Sequence, residues 1–176
     1  KTMASELGVQ TIQHTNGTDA LTIDSSGRIT NSQPIGFGCR QNNGTPLTNA
    51  TTLTKIDDWI STQHGGFNTG LLNESTGVVT IPKTGYYMVQ ADARLDNFAG
   101  NYIYLTVRRW DGSAFVSDDR VAQSLESATA TDYTALHIQA IAYLTSGNQY
   151  ALGTSNQGDL NVDVNVETFF SMWYLG

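Results

Sequence analysis

Phe67-Asn68-Thr69-Gly70-Leu71-Leu72-Asn73-Glu74-Ser75-Thr76-Gly77-Val78-Val79-Thr80-Ile81-Pro82-Lys83-Thr84-Gly85-Tyr86-Tyr87 is turn chemistry laid between short apolar stretches, and its reading decides the fold. Thr76-Gly77 closes a hairpin, because glycine supplies the backbone conformation that a tight turn demands. Val78 to Ile81 is an apolar strand, and Pro82, with no N–H to pair, marks its end. Gly85 permits a close turn before the aromatic strand that starts at Tyr86-Tyr87.

Outward from this stretch, further strands recur at the spacing of a β-sandwich. They are Ile35 to Arg40, Gly77 to Ile81, Tyr86 to Leu95, Tyr102 to Trp110, Tyr133 to Leu144, Gln149 to Leu152 and Leu160 to Tyr174. Leu136, Ile138, Ala140, Ala142 and Leu144 alternate with more polar neighbours, which is the two-residue period of a strand buried on one face. Leu160, Val162, Val164 and Val166 alternate with Asp159, Asn161, Asp163, Asn165 and Glu167 in the same way. Leu53 to Ser61 is the single stretch with a helical alternative. Loops are expected at residues 41–46, 97–101, 124–132 and 155–159. The fold class that follows is all-β, an antiparallel two-sheet sandwich.

The quoted stretch resembles the C1q/TNF-like jelly-roll signature. Asn73 stands three before Thr76, Val79 stands six before Gly85, and Tyr87 takes the Gly-x-Tyr position. Val79 and Val89 stand where the family usually has Phe. Phe169-Phe170-Ser171-Met172-Trp173-Tyr174-Leu175-Gly176 is similar to the aromatic strand that ends these domains. The resemblance spans residues 34–176, and it implies a C1q-like jelly-roll head that assembles as a homotrimer. Thr11 to Ile29 resembles the connector preceding the terminal domains of bacteriophage tail fibres and other virion appendages. Its short runs are separated by Asn16-Gly17 and Ser25-Ser26-Gly27, and Val9, Ile12, Leu21, Ile23 and Ile29 are too few to bury a core alone. Residues 1–33 therefore read as a β-rich trimeric stem that needs neighbouring copies.

Composition supports this reading. Of 176 residues, 23 are Thr, 13 Ser and 13 Asn, a turn-rich and β-leaning usage. The net charge of −7 and the absence of Lys/Arg clusters beyond Arg108-Arg109 exclude a nucleic-acid partner. No apolar run reaches the ~20 residues that span a bilayer, so no membrane insertion by a helix is expected. Cys39 is the one cysteine, which excludes an intrachain disulfide; following Ile35 and Phe37, it is expected to pack as a small apolar residue.

Each candidate chemistry has a plain structural counterpart. His14, His64 and His137 have no nucleophile-elbow motif to serve, so no catalytic residue is assigned. Asp57-Asp58, Asp111 and Asp118-Asp119 are the acids that a glycan-hydrolysing carboxylate pair would draw on. Asp159 and Asp163 begin a series of alternate oxygen ligands suited to calcium, but Val164 occupies the position of the glycine an EF-hand loop requires. No cofactor or metal is assigned on that pattern, and Asp159 and Asp163 are retained only as candidate calcium ligands.

Aromatic side chains near strand ends, namely Trp59, Tyr102, Tyr104, Trp110 and Tyr133, suit stacking on sugar faces. Tyr86, Tyr87, Phe169, Phe170 and Trp173 are expected in the core or a trimer interface. The turn Trp110-Asp111-Gly112-Ser113 is the best candidate for a ligand-contacting loop. Arg108 and Arg109 place one guanidinium on each face of their strand, where an anionic glycan or a neighbouring acid is the natural partner. Trp110, Asp111, Arg109 and Tyr104 are thus the candidate ligand-binding residues. The function expected is a trimeric, non-enzymatic phage fibre tip, located on the virion, that attaches to a bacterial surface receptor such as a polysaccharide. The alternatives are a structural fibre cap or decoration protein, a glycan-degrading appendage enzyme, and an extracellular C1q-like protein.

Overall fold

A computed structural model describes residues 9–13, 15–17, 19–31, 34–47, 52–62, 65–96, 102–126, 133–156, 162–164 and 167–176. The chain divides into two compact units, Lys1–Pro34 and Ile35–Gly176. In the first, β1 (Thr11–Gln13), β2 (Asp19–Ile23) and β3 (Ile29–Asn31) form a three-stranded antiparallel sheet. Asp24 fixes the β2–β3 turn by accepting from the backbone N–H groups of Ser26 and Arg28, each at 2.9 Å. Ile12 and Ile29 remain exposed, and among the described residues the fully buried hydrophobic cluster begins at Phe37, with Ile35 packed against it.

The second unit carries β4 (Gly36–Gln41), β5 (Thr45–Leu47), β6 (Thr54–Lys55), β7 (Trp59–Ile60), β8 (Phe67–Asn68), β9 (Leu72–Asn73) and β10 (Val78–Thr80). The long strands follow: β11 (Gly85–Asp96), β12 (Ile103–Trp110), β13 (Phe115–Glu126), β14 (Tyr133–Leu144) and β15 (Gln149–Asn156). β16 (Val162–Val164) and β17 (Phe169–Tyr174) complete it. An eight-stranded sheet runs β5-β16-β11-β17-β4-β7, with β14 on the far side of β11 and β8 on β4. A six-stranded sheet runs β13-β12-β15-β10-β9, with β6 also on β15. All pairings are antiparallel, and no helix occurs among the described residues, so the all-β two-sheet class stands.

The core lies between these sheets, where alternate residues of each strand turn inward. Tyr87, Val89 and Ala91 of β11, Leu136 and Ile138 of β14, and Phe170 and Met172 of β17 meet Ile103, Leu105 and Val107 of β12. Phe170 packs edge-on to Phe37 with ring centroids 4.9 Å apart. Tyr87 is fully buried but satisfies its hydroxyl by donating to the Lys83 carbonyl at 2.7 Å, and burial raises its pKa. Cys39 is buried as expected, and desolvation pushes its thiol up to about 12.

The deciding stretch folds as its turn residues dictate. β9 and β10 pair through Asn73↔Val78, and the Gly77 N–H donates to the Asn73 carbonyl at 2.8 Å. Gly77 has φ +67°, and a side chain there would run into the Ile56 carbonyl. Gly85 is needed for close approach, since an added Cβ would lie 2.5 Å from the carbonyl oxygen of Gly176.

The described strands differ from the sequence reading at four places. The 53–61 segment is extended, with Asp58 at φ +57° between β6 and β7, because pairing with β15 and β4 captures it. Residues 115–126 form a long strand that the polar run Ser117-Asp118-Asp119-Arg120 obscures. β13 pairs only with β12, and an edge strand tolerates such charge. The expected final strand is two, β16 and β17, held by different stretches of β11. Gln149 to Leu152 continues to Asn156.

Candidate functional site

β12 sets the geometry of the polar side of the head. Ile103, Leu105 and Val107 face the core, so Tyr104, Thr106, Arg108 and Trp110 alternate onto the outer face of the six-stranded sheet. Arg109 turns to the opposite side of the strand and pairs with Asp119 at 3.5 Å. Asp111 is held within its own turn. Its Oδ1 accepts from the Ala114 N–H at 2.7 Å, the Ser113 N–H at 2.8 Å and the Ser113 hydroxyl at 2.9 Å. Those bonds, the Ala114 N–H foremost, hold its carboxyl below the usual aspartate value. Of the four sequence candidates, Tyr104 and Trp110 share the outer face, Arg109 does not, and Asp111 shapes the loop.

Two cavities open on this face. Trp110 lines one of about 410 Å³ with Lys55, Asn73, Thr76 and Gln149. The Lys55 ammonium sits 5.6 Å from the Trp110 ring centroid and donates to the Thr76 carbonyl. Burial lowers the Lys55 pKa, against the opposing pull of Asp57 at 3.9 Å. Tyr104 lines the other, of about 380 Å³, with Arg108, Arg120, Gln123 and Ser155. The sequence pairs Arg108 with Arg109 as a glycan contact, but only Arg109 enters the candidate set, and Arg120 is not singled out. The alternation that sets Arg109 and Arg108 on opposite sides of the strand was the available signal for Arg108, whereas Arg120 arrives through the β12–β13 register.

The remaining candidates fall elsewhere. Trp59 is 3% exposed and donates its indole N–H to the Ile56 carbonyl, so it is a core residue and no sugar platform. Asp58 accepts from the Asn42 and Asn43 side chains. Among the described residues no group of three His, Cys, Asp or Glu gathers to hold a metal ion. Asp163 lies in β16 opposite Pro46, while Asp159, His14 and His64 lie outside the described residues.

The outer face of the eight-stranded sheet is different in kind. Cross-strand register lays side chains in rows: Tyr143 beside Tyr86, then Ile141–Met88–Trp173, then Gln139–Gln90–Ser171, then His137–Asp92–Phe169. Ile141, Tyr143 and Tyr86 are 67%, 62% and 55% exposed, and Leu175 extends the apolar end. Tyr86 thus belongs to the surface, not the core. The two tyrosine rings meet edge-on at 5.3 Å, and Trp173 packs on Phe67 at 4.3 Å. At the polar end His137 contacts Asp92 at 2.5 Å and Arg94 pairs with Glu167 at 2.6 Å, around a cavity of about 470 Å³.

No protein-family model matches the sequence, and no curated protein matches it. Solved structures do match in shape, and they place the fold in the TNF-like jelly-roll class. Murine APRIL at pH 8.0 superposes with a TM-score of 0.60 at 14% identity, over 81% of this chain and 100% of that one. Murine APRIL at pH 5.0 gives 0.59 over the same shares, also at 14% identity. The Eiger TNF from S. frugiperda gives 0.58 at 15% identity, over 81% of this chain and 93% of that one. At such identities the likeness establishes the fold, and the C1q/TNF-like resemblance holds at that level.

Proposed function

We propose that the chain is a homotrimeric, non-enzymatic recognition module, the tip of a bacteriophage fibre that attaches to a bacterial surface receptor, with residues 1–33 as its stem. The observation that carries the reading is the exposed apolar end of the eight-stranded sheet, where Ile141, Tyr143, Tyr86 and Leu175 adjoin Trp173. Contiguous apolar surface of this kind stays exposed in a monomer and is buried when copies close around a rotation axis. Covering a side chain such as Ile141 contributes about 1.5–3 kcal/mol. The stem needs the same assembly, since Ile12 and Ile29 find no core in a single copy.

With that face turned inward, the six-stranded sheet faces outward in three copies. Its cavities and the Trp110 and Tyr104 rings then suit a repeated ligand such as a polysaccharide, and multivalency multiplies weak single contacts. The acids favour binding over hydrolysis. Asp57 answers Lys55, Asp58 answers two asparagines, Asp111 caps its turn and Asp119 answers Arg109. The virion location rests on the resemblance of residues 11–29 to appendage connectors.

The test is molar mass by light scattering, followed by incubation with intact bacteria of candidate hosts. A trimer that binds cells and blocks infection is the expected result. A stable monomer overturns the assembly, and a trimer that binds no host of its phage leaves the structural cap in its place.

A further inference from the structure

We infer that the cavity between Tyr104, Arg108 and Arg120 is a binding site for the carboxylate of an acidic sugar. The inference deepens the recognition reading and rests on it for the biological source of the ligand, not for the chemistry of the site.

Arg108 and Arg120 stand directly opposite one another in the β12–β13 register, an arrangement of like charges that weakens strand pairing. Among the described residues neither arginine forms an ion pair with a carboxylate. Arg108 donates to the Ser117 carbonyl at 3.0 Å and to Gln123 Oε1 at 3.5 Å, and Arg120 donates to that same oxygen at 2.8 Å. Asp119, next to Arg120 in sequence, is turned to Arg109 on the other side. Asp118 forms no ion pair among the described residues. Two guanidinium groups therefore share one neutral amide oxygen, in a chain whose acids outnumber its bases 16 to 9.

One buried donor of the pair is left without an acceptor. The Arg108 Nε is buried with no acceptor, and a buried guanidinium N–H is costly until an acceptor arrives. A planar carboxylate matches the guanidinium fork, which is why arginine recurs at such sites. The rest of the lining suits a sugar: the Tyr104 ring offers a stacking face, Ser155 a hydroxyl and Leu53 an apolar wall. The volume, about 380 Å³, is within the range of small-ligand pockets. Trp110 lies on the same face six residues beyond Tyr104 and two beyond Arg108, about 20 Å and about 7 Å along an extended strand, so a chain of a few sugars spans the arginines and both rings.

The experiment titrates the full chain with tetramers of glucuronate, galacturonate and sialate, with a neutral glucose tetramer and tetraglutamate as controls. Arginine Nε–H resonances report the site. At least one acidic sugar is expected to bind saturably and to shift the Arg108 signal, while the glucose tetramer binds at least tenfold more weakly. Arg108→Gln and Arg120→Gln are each expected to lose tenfold or more; Arg120 is exposed on an edge strand, so its variant keeps the fold. Trp110→Ala is expected to weaken tetramers more than single sugars. Failure of all three acidic sugars to bind, or binding indifferent to both arginine variants, overturns the site. Tetraglutamate binding as tightly as the best sugar overturns its assignment to carbohydrate. A trimer that binds cells and ignores every acidic sugar removes this inference alone, and a monomer that binds one removes the assembly reading alone.

Discussion

The outer faces of the two sheets arise from the same strand alternation and carry opposite surfaces. On the eight-stranded sheet, β11 and β14 show Tyr86, Tyr143 and Ile141 to the outside, an apolar layer that ends in Asp92 and His137. On the six-stranded sheet, β12 and β13 show Tyr104, Arg108 and Arg120 around open cavities. The β11–β14 ladder runs unbroken, while the β12–β13 ladder shifts register on either side of Arg108. What differs is which side chains the register brings side by side: rings on rings in one case, guanidinium opposite guanidinium in the other. An exposed apolar layer and a cationic, cavity-bearing face thus stand on opposite sides of one core.

That comparison can be broken at three depths. The deepest is the shared core. Phe170→Ala removes a fully buried ring packed on Phe37 and Trp59, and its expected cost is about 3–5 kcal/mol in denaturant unfolding, degrading both faces together. A smaller loss would mean that the sheets repack around the gap.

Next comes the apolar face alone. Ile141→Lys places a charge in the centre of the proposed interface and is expected to reduce the molar mass to that of a single chain. Near-UV circular dichroism and acidic-sugar binding per site should be retained, because the residue is 67% exposed and touches neither core nor cavity. Loss of sugar binding with the trimer would show that the faces depend on each other.

The gentlest perturbation is in the Trp110–Ser113 turn. The Asp111 carboxyl titrates below its unfolded value of about 3.9, so it stabilises the fold above that pH and the contribution disappears as pH falls through the folded value. The stability gap between the native chain and Asp111→Ala should therefore be widest at neutral pH and narrow below about pH 4. A gap constant from pH 7 to pH 2 would assign the turn's stability to something other than the ionised carboxylate.

Much of the fold could be read from local chemistry. The Tyr133 to Leu144 strand follows from its alternation, the β9–β10 hairpin from Asn73 and Gly77, and the buried Cys39 from its place after Ile35 and Phe37. β13 escaped because an edge strand needs no clean apolar face, and Ser117 to Arg120 looks like a solvated loop. The candidate surface was half legible. Tyr104 and Trp110 were named, and the two arginines that give the cavity its character were not brought together.

Sequence alone determined where strands start, stop and turn, and which alternate residues face inward, because turn propensity and a two-residue period are properties of neighbours along the chain. Only the tertiary structure decided which strands lie side by side, and with that the exposed tyrosine rows, the burial of Trp59 and the meeting of Arg108 with Arg120. The physical reason is that register couples residues far apart in the chain through backbone hydrogen bonds, as Arg108 is set opposite Arg120, 12 positions on, past a break in the β12–β13 ladder. A shift of one residue there would have turned one arginine to the other face of the sheet and parted the pair.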